Sequence, residues 1–365
     1  MSTAINFTPM VTLEEAAQVI AATGDVITNI LVAEPGIGKT SVLKMLKEMM
    51  GDEYDYIYVD CPVKDMMDIG ASIPNHTLQT LEYYVSSLFK LSGEGANRPK
   101  VILLDELFKA PKLMQIIYTR LVLERMVGDL PLPESPSGKK SIVFGTSNNA
   151  KDGVGDASLA HMGSRVATLY IKKHTAPQWD IWASKNSIHR IVRTWVSLNP
   201  RCMASYQDGG QEDNPYIFIP GNSRKYVCGR TLEKSSITIT RRNQMSENAV
   251  MSQLSGLIGE SAARSMAAFI SMEADVVDVL DVLKDPMGTK VPSDLAPQVM
   301  MMFQAVEVDV IKTQDDLSSF MKYMNRIDSA EVQAIFFTML CRDRVKLARG
   351  NELVTKWSRD NYVLL

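Results

Sequence analysis

Residues Ile30-Leu31-Val32-Ala33-Glu34-Pro35-Gly36-Ile37-Gly38-Lys39-Thr40-Ser41 read as a buried strand, a tight glycine loop and the start of a helix running to Met50. That order is what a phosphate cradle requires. Glycines let successive backbone N–H groups turn inward on an anion, and the N-terminus of the following helix adds the positive end of its dipole. Lys39 is then placed to reach the β- and γ-phosphates of a nucleotide, and the Thr40 hydroxyl to hold Mg²⁺. Ala33 stands where the G-x-x-x-x-G-K-[ST] pattern has its first glycine. Gly36 and Gly38 still supply the tight backbone.

Working outward, strand and helix signals alternate. Tyr56-Ile57-Tyr58-Val59, Lys100-Val101-Ile102-Leu103-Leu104, Ser141 to Thr146 and Val166 to Ile171 are short, near-continuous apolar runs. Helical spacing is read between them at Leu78–Leu91 and Leu113–Val127. Apolar strands separated by helices predict a parallel sheet covered on both faces. Residues 1–175 are thus expected to form one α/β nucleotide-binding domain.

Beyond it, Pro177 suits the first turn of a helix carrying Trp179, Ile181 and Trp182, and Ile188–Leu198 continues the helical pattern. Residues 206–240, with Gly209-Gly210 and the runs Tyr216–Ile219 and Ser236–Thr240, read as an extended excursion, β-hairpin in character. From Ser246 onward the pattern is helical, with a break near residue 285 marked by Pro286, Pro292 and Pro297. The expected division is a helical lid over 176–285, with the excursion inserted, and a helical region over 286–365.

Composition narrows the function classes. A net charge of −3 gives no global pull toward nucleic acid or acidic membranes. The four cysteines have no Cys-x-x-Cys spacing, which argues against a zinc site or a disulfide frame. No signal-peptide pattern and no apolar run of membrane-spanning length occurs, so a reducing cytosol is expected. The isolated His76, His161, His174 and His189 form no nucleophile set, and the 22 methionines read as adaptable core filler.

The chemistry gathers around the strand Ile102-Leu103-Leu104, which ends in Asp105-Glu106. This is a Walker B pattern. Asp105 at the strand's carboxyl end can complete the Mg²⁺ shell, and Glu106 beside it can orient and polarise an attacking water. The strand Ile142–Thr146 runs into Ser147-Asn148-Asn149. An amide there can touch both the γ-phosphate and the lytic water, as a sensor 1 residue does; Asn148 is favoured, with Asn149 the alternative. Arg165, in Gly163-Ser164-Arg165-Val166, is read as lying between a short helix and the last strand. It can project toward a neighbouring subunit's nucleotide, because guanidinium stays charged and forks to phosphate oxygens. Arg241 and Arg242 are read as opening the helix after the excursion, with Arg242 the candidate sensor 2.

Taken together, Ala33 to Thr40, Leu104-Asp105-Glu106-Leu107, Leu121 to Asp129, Gly145-Thr146-Ser147-Asn148 and Gly163-Ser164-Arg165-Val166 resemble AAA+ ATPases, specifically the MoxR branch with its bacterial and phage-encoded relatives. Gln178 to Ala183 is similar to the lid opening of these relatives. Ser164 replaces a common Asn before the finger arginine, Arg241-Arg242-Asn243 lacks the proline of the sensor 2 signature, and the 206–240 segment is longer than the pattern. The resemblance implies a P-loop NTPase core with a β-hairpin after the Walker B helix, then a helical lid and C-terminal helical region. It implies ATP and Mg²⁺ as cofactors and ATP hydrolysis at the subunit interfaces of a homo-oligomeric, hexameric ring. The ring would act on a protein client, with a von Willebrand factor A domain protein as partner, in a bacterial or phage-infected cytosol. Two other readings stay open on the residues: a nucleic-acid-stimulated motor or loader, and a nucleotide-gated assembly scaffold.

Overall fold

The computed structural model describes residues 9–149 and 165–361. The chain divides into two compact units. One runs to His174 and takes in Phe218–Ser223; the other comprises Thr175–Ile217 and Arg224–Leu365.

The first unit is built on strands β1 (Met10–Val11), β2 (Thr28–Ala33), β3 (Asp55–Asp60), β4 (Gly70–Asn75), β5 (Thr80–Val85), β6 (Lys100–Asp105), β7 (Met126–Val127), β8 (Leu130–Pro131), β9 (Ile142–Asn148) and β10 (Val166–Ile171). Its helices are α1 (Leu13–Thr23), α2 (Val42–Met50), α3 (Met66–Ile69) and α4 (Lys112–Glu124). Six strands form one sheet in the order β1-β10-β2-β9-β6-β3, and every neighbouring pair is parallel.

Alternate side chains along each strand go to opposite faces, as a pleated strand requires. Ile30, Ile57, Ile102, Leu104 and Val143 pack with Met114, Tyr118 and Leu121 of α4. Leu31, Val101, Leu103 and Phe144 pack with Leu13, Ala17 and Ile20 of α1 and Val42 and Leu46 of α2. A sheet buried on both sides explains why its strands read as apolar runs. Connections from β2 lead to one side, toward β3, and β10 closes the other side. The loop after β2 therefore sits at a topological switch point, where open α/β sheets bind ligands.

Four sequence expectations are corrected in this unit and the next. Leu78–Leu91 is no helix: β5 pairs antiparallel with β4, Gly70 opposite Val85 and Asn75 opposite Thr80, and a 3-10 turn at Ser87–Phe89 follows. The run Leu-Glu-Tyr-Tyr-Val suits a strand by its aromatic and β-branched content, and that preference outweighs a weak helical spacing. Helix α4 stops at Glu124, where Arg125 adopts a left-handed φ of 58° as its cap. The next residues pair as a hairpin, Met126 with Pro131 and Val127 with Leu130, across Gly128-Asp129. A side chain at Gly128 would collide with the Tyr83 ring, so the hairpins β4–β5 and β7–β8 are held against each other there.

The second unit is helical: α5 (Ala176–Lys185), α6 (Arg190–Leu198), α7 (Gly229–Thr240), α8 (Glu247–Ile258), α9 (Glu260–Met272), α10 (Val279–Lys284), α11 (Leu295–Ala305), α12 (Gln314–Met324), α13 (Ala330–Asp343), α14 (Val345–Ala348) and α15 (Glu352–Asp360). None of the described helices is long and apolar enough to cross a membrane. The third and fourth corrections lie here. Gly229–Thr240 is a helix, not part of an extended excursion, and Tyr216–Ile219 is irregular backbone entered through a turn and bend, not a strand. Alternating Ile and Thr mimicked strand periodicity. The helix buries Leu232, Ser235, Ser236 and Ile239 together, and Ser235, Thr238 and Thr240 satisfy their hydroxyls on carbonyls one turn back. Arg241 and Arg242 follow this helix as a cap and a 3-10 turn, instead of opening the next one. Helix α11 lies between two cores: Met300 joins Trp179 and Trp195, while Met301, Met302 and Phe303 join Phe320, Phe336 and Trp357.

Candidate functional site

The polar centre of the first unit forms at the carboxyl ends of β2, β6 and β9. Gly36 and Gly38 take φ values of 80° and 95°, a left-handed backbone that side chains disfavour, and this folds the loop back over its own strand. Ser41 Oγ donates to the Gly38 carbonyl at 2.7 Å and stiffens the entry to α2. Lys39 is buried, and its ammonium donates to the carbonyls of Ala33 (2.8 Å) and Glu34 (3.2 Å) and to Asn148 Oδ1 (2.8 Å). Register brings Asn148 there: it stands directly beside Ala33 where β9 pairs with β2. Asn149 follows it as a partly exposed residue off the strand end.

Asp105 is held by three hydroxyls. Its Oδ2 accepts from Thr40 Oγ1 at 3.3 Å and from Tyr58 OH at 3.0 Å, and its Oδ1 accepts from Thr146 Oγ1. Thr146 Oγ1 in turn accepts the Glu106 N–H at 2.9 Å, so one hydroxyl ties both acids to β9. Burial first, then the charge and hydrogen bond of Asp105, push the Tyr58 phenol well above its usual range. Tyr58 therefore stays a donor. Glu106 sits at a left-handed φ of 51°, a conformation costly outside glycine and met at functional sites. Its carboxylate, partly exposed, pairs with Lys109 at 2.8 Å.

The donor set suits Mg²⁺. Among the described residues no three His, Cys, Asp or Glu side chains cluster as an all-protein cage. What meets at 3.3 Å is one hydroxyl, Thr40, and one carboxylate, Asp105. Mg²⁺ is a hard cation that keeps several waters and takes one or two such oxygens alongside phosphate.

The remaining candidates lie elsewhere. Glu34 is buried and its carboxylate pairs with Lys173 at 3.7 Å, just past the end of β10. Pro35 and Ile37 belong to the loop wall, Ile37 packing into the apolar core beneath it. Arg165 is exposed at the opposite, amino end of the sheet, since Val166 pairs with Thr28 at the start of β2. The short helix expected before it, with Gly163, Ser164 and His161, lies outside the described residues. Arg242, in the helical unit, donates to the Ile239 carbonyl at 2.8 Å and pairs with Glu273, which also takes Arg190 at 3.1 Å.

Sequence reasoning missed the roles of Thr146, Tyr58, Lys173 and Lys109. Thr146 stood inside a quoted motif, and Lys109 lies three residues past Glu106, a spacing at which side chains on a turn meet. Tyr58 and Lys173 gave no local signal, because their partners are set by strand register.

A central P-loop at the switch point of a parallel sheet, with Lys39, Thr40, Asp105 and Asn148 converging on it, defines a P-loop NTPase-type core followed by a helical region. No protein-family profile matches this chain, and no curated protein does. Solved structures with some likeness include ORC2 of Aeropyrum pernix (12% identity, 84% of this chain, 83% of that one, TM-score 0.38). NtrX of Brucella abortus in complex with ATP aligns at 10% identity over 97% of this chain and 69% of that one, TM-score 0.35. RuvB of Thermotoga maritima, as a K64R mutant, aligns at 13% identity over 76% and 74%, TM-score 0.32. These likenesses are loose, and the fold is defined by the sheet and loop themselves.

Proposed function

We propose that the chain is an ATP hydrolase of the AAA+ class, in its MoxR branch, acting in the cytosol as a hexameric ring on a protein client, with a von Willebrand factor A domain protein as partner. The observation that carries the hydrolase reading is the meeting of Lys39, Asn148, Thr40 and Asp105 around the Gly36–Gly38 loop. The motif resemblance supports the branch, the ring and the client.

Bound Mg²⁺–ATP supplies the phosphoanhydride to be broken and the cation that offsets charge developing on its oxygens. The chain's own residues do the rest. Backbone N–H groups of the loop face the phosphates, and Lys39 exchanges part of its present acceptor set for phosphate oxygens. Thr40 and Asp105 hold the cation. Glu106 leaves Lys109 to accept a proton from the attacking water, and Asn148 orients that water against the γ-phosphate. Val166 is level with Thr28, so Arg165 starts about 17 Å behind its own loop at ~3.3 Å per strand residue. That separation supports a role toward a neighbouring subunit's nucleotide. Arg242 serves as sensor 2 by exchanging Glu273 for phosphate.

Glu106→Gln tests the chemistry. The variant should bind ATP as the wild type does and assemble, while turnover falls by about 100-fold or more, the usual share of a general base. Hydrolysis at the wild-type rate would remove Glu106 from its role.

A further inference from the structure

The Asp105 carboxylate carries one donor that the nucleotide reading leaves unexplained. Tyr56 and Tyr58 leave β3 on the same face, two residues apart. Tyr56 uses its hydroxyl on a backbone carbonyl, donating to Gly51 at 2.8 Å, and its ring joins the apolar cluster under α2. Tyr58 differs. The residue is 43% exposed, so packing alone does not account for an aromatic there. Its hydroxyl reaches Asp105 Oδ2 at 3.0 Å, the same oxygen that Thr40 touches at 3.3 Å.

We propose that Tyr58 is a positioning residue which fixes the Asp105 carboxylate toward Thr40 and so sets the affinity of the site for a divalent cation. The terminal torsion of an aspartate is broad, so a carboxylate held from one side swings. Thr146 holds Oδ1 from β9, and Tyr58 holds Oδ2 from β3 on the other flank. A carboxylate offers about four lone-pair directions. With three hydroxyls arranged around it, the direction left for a cation is set by the protein. Outer hydrogen bonds of this kind commonly carry 10–100-fold in metal affinity. The inference rests on the nucleotide-site reading above.

Tyr58→Phe removes the hydroxyl and keeps the ring. Mn²⁺, a hard cation visible by electron paramagnetic resonance, is the probe, titrated into protein saturated with a non-hydrolysable ATP analogue. ATP affinity in excess EDTA is measured beside it. Mn²⁺ affinity should fall about tenfold, while ATP affinity without metal stays at the wild-type value. In an Asp105→Asn background the same change should add nothing. Unchanged Mn²⁺ affinity overturns the proposal, and so does an equal loss of metal-free ATP affinity, which would mean that Tyr58 acts through the loop or the fold. If the wild type itself binds no ATP in either condition, the nucleotide reading fails and this inference falls with it. Normal wild-type binding with no shift in the variant defeats this inference alone.

Discussion

At the amino end of the sheet, Asp55 and Lys100 form a buried pair at 2.8 Å, with Lys90 and Arg98 at 3.6 and 3.7 Å and the Gly95 carbonyl taking another Lys100 proton. Close by, Arg125 donates to Thr28 Oγ1 at 2.7 Å and to the Gly24 carbonyl at 2.9 Å. At the carboxyl end, Lys39 and Asp105 are also hydrogen-bonded, Lys39 to an amide and two loop carbonyls and Asp105 to three hydroxyls. Asp55 is thus held by cations, whereas Asp105, at the other end of the sheet, is held by hydroxyls. Dipolar partners hold a charge in place and leave its field available to a charged ligand. An ion pair spends that field internally and adds rigidity. The amino end reads as structure, except for Arg165, which is exposed there.

The largest expected effect falls on Arg165. Lys39→Ala and Arg165→Ala should each lower ATP turnover by about 10³-fold, in the range seen for arginine fingers. Mixing the two variants should restore part of the rate, because some interfaces would combine an intact loop with an intact arginine. No recovery at any ratio would place Arg165 with the structural charges of its own end.

Lys100→Met tests the structural side. Removing one partner of a buried pair leaves the other charge uncompensated, commonly at 3–5 kcal/mol. The expected loss is about 3 kcal/mol in chemical denaturation, at the low end because Lys90 and Arg98 remain near Asp55. ATP affinity should not change, and a shift in it would erase the division between the two ends.

The smallest effect concerns acid. Burial pushes the Asp55 carboxyl up, but the Lys100 hydrogen bond and charge, helped by Lys90 and Arg98, more than reverse this and hold it below the ordinary value of 3.8. A depressed folded pKa contributes stability that is present above the unfolded value and disappears as pH falls through the folded one. The stability gap between wild type and Asp55→Asn should therefore be full at about pH 5 and shrink on acidification below about pH 3.8. A gap independent of pH would mean that Asp55 stabilises by shape alone.

Much of this was legible in the residues. Five of the six sheet strands announced themselves as apolar runs, because a sheet covered on both faces needs buried side chains at nearly every position. The two-residue β1 did not, since a pair of residues carries no periodicity. The β4–β5 hairpin was misread because a short segment with aromatics supports either period. Helix α7 was misread because alternating Ile and Thr imitates a strand, while tertiary burial of Leu232, Ser236 and Ile239 favours the helix. The loop and the two acids were legible because phosphate and Mg²⁺ chemistry demand particular side chains at fixed local spacing.

Neighbours along the chain suffice to specify the glycine loop, the Lys39–Thr40 pair, the Asp105–Glu106 strand end and the α/β-then-helical order. It takes the folded chain to show that Asn148 stands beside Ala33, that Tyr58 and Thr146 clasp Asp105 from two flanks, that Lys173 meets Glu34, and that Arg165 starts at the far end of the sheet. Those juxtapositions follow from strand order and register. Both are set by how distant segments pack, and no local pattern encodes them.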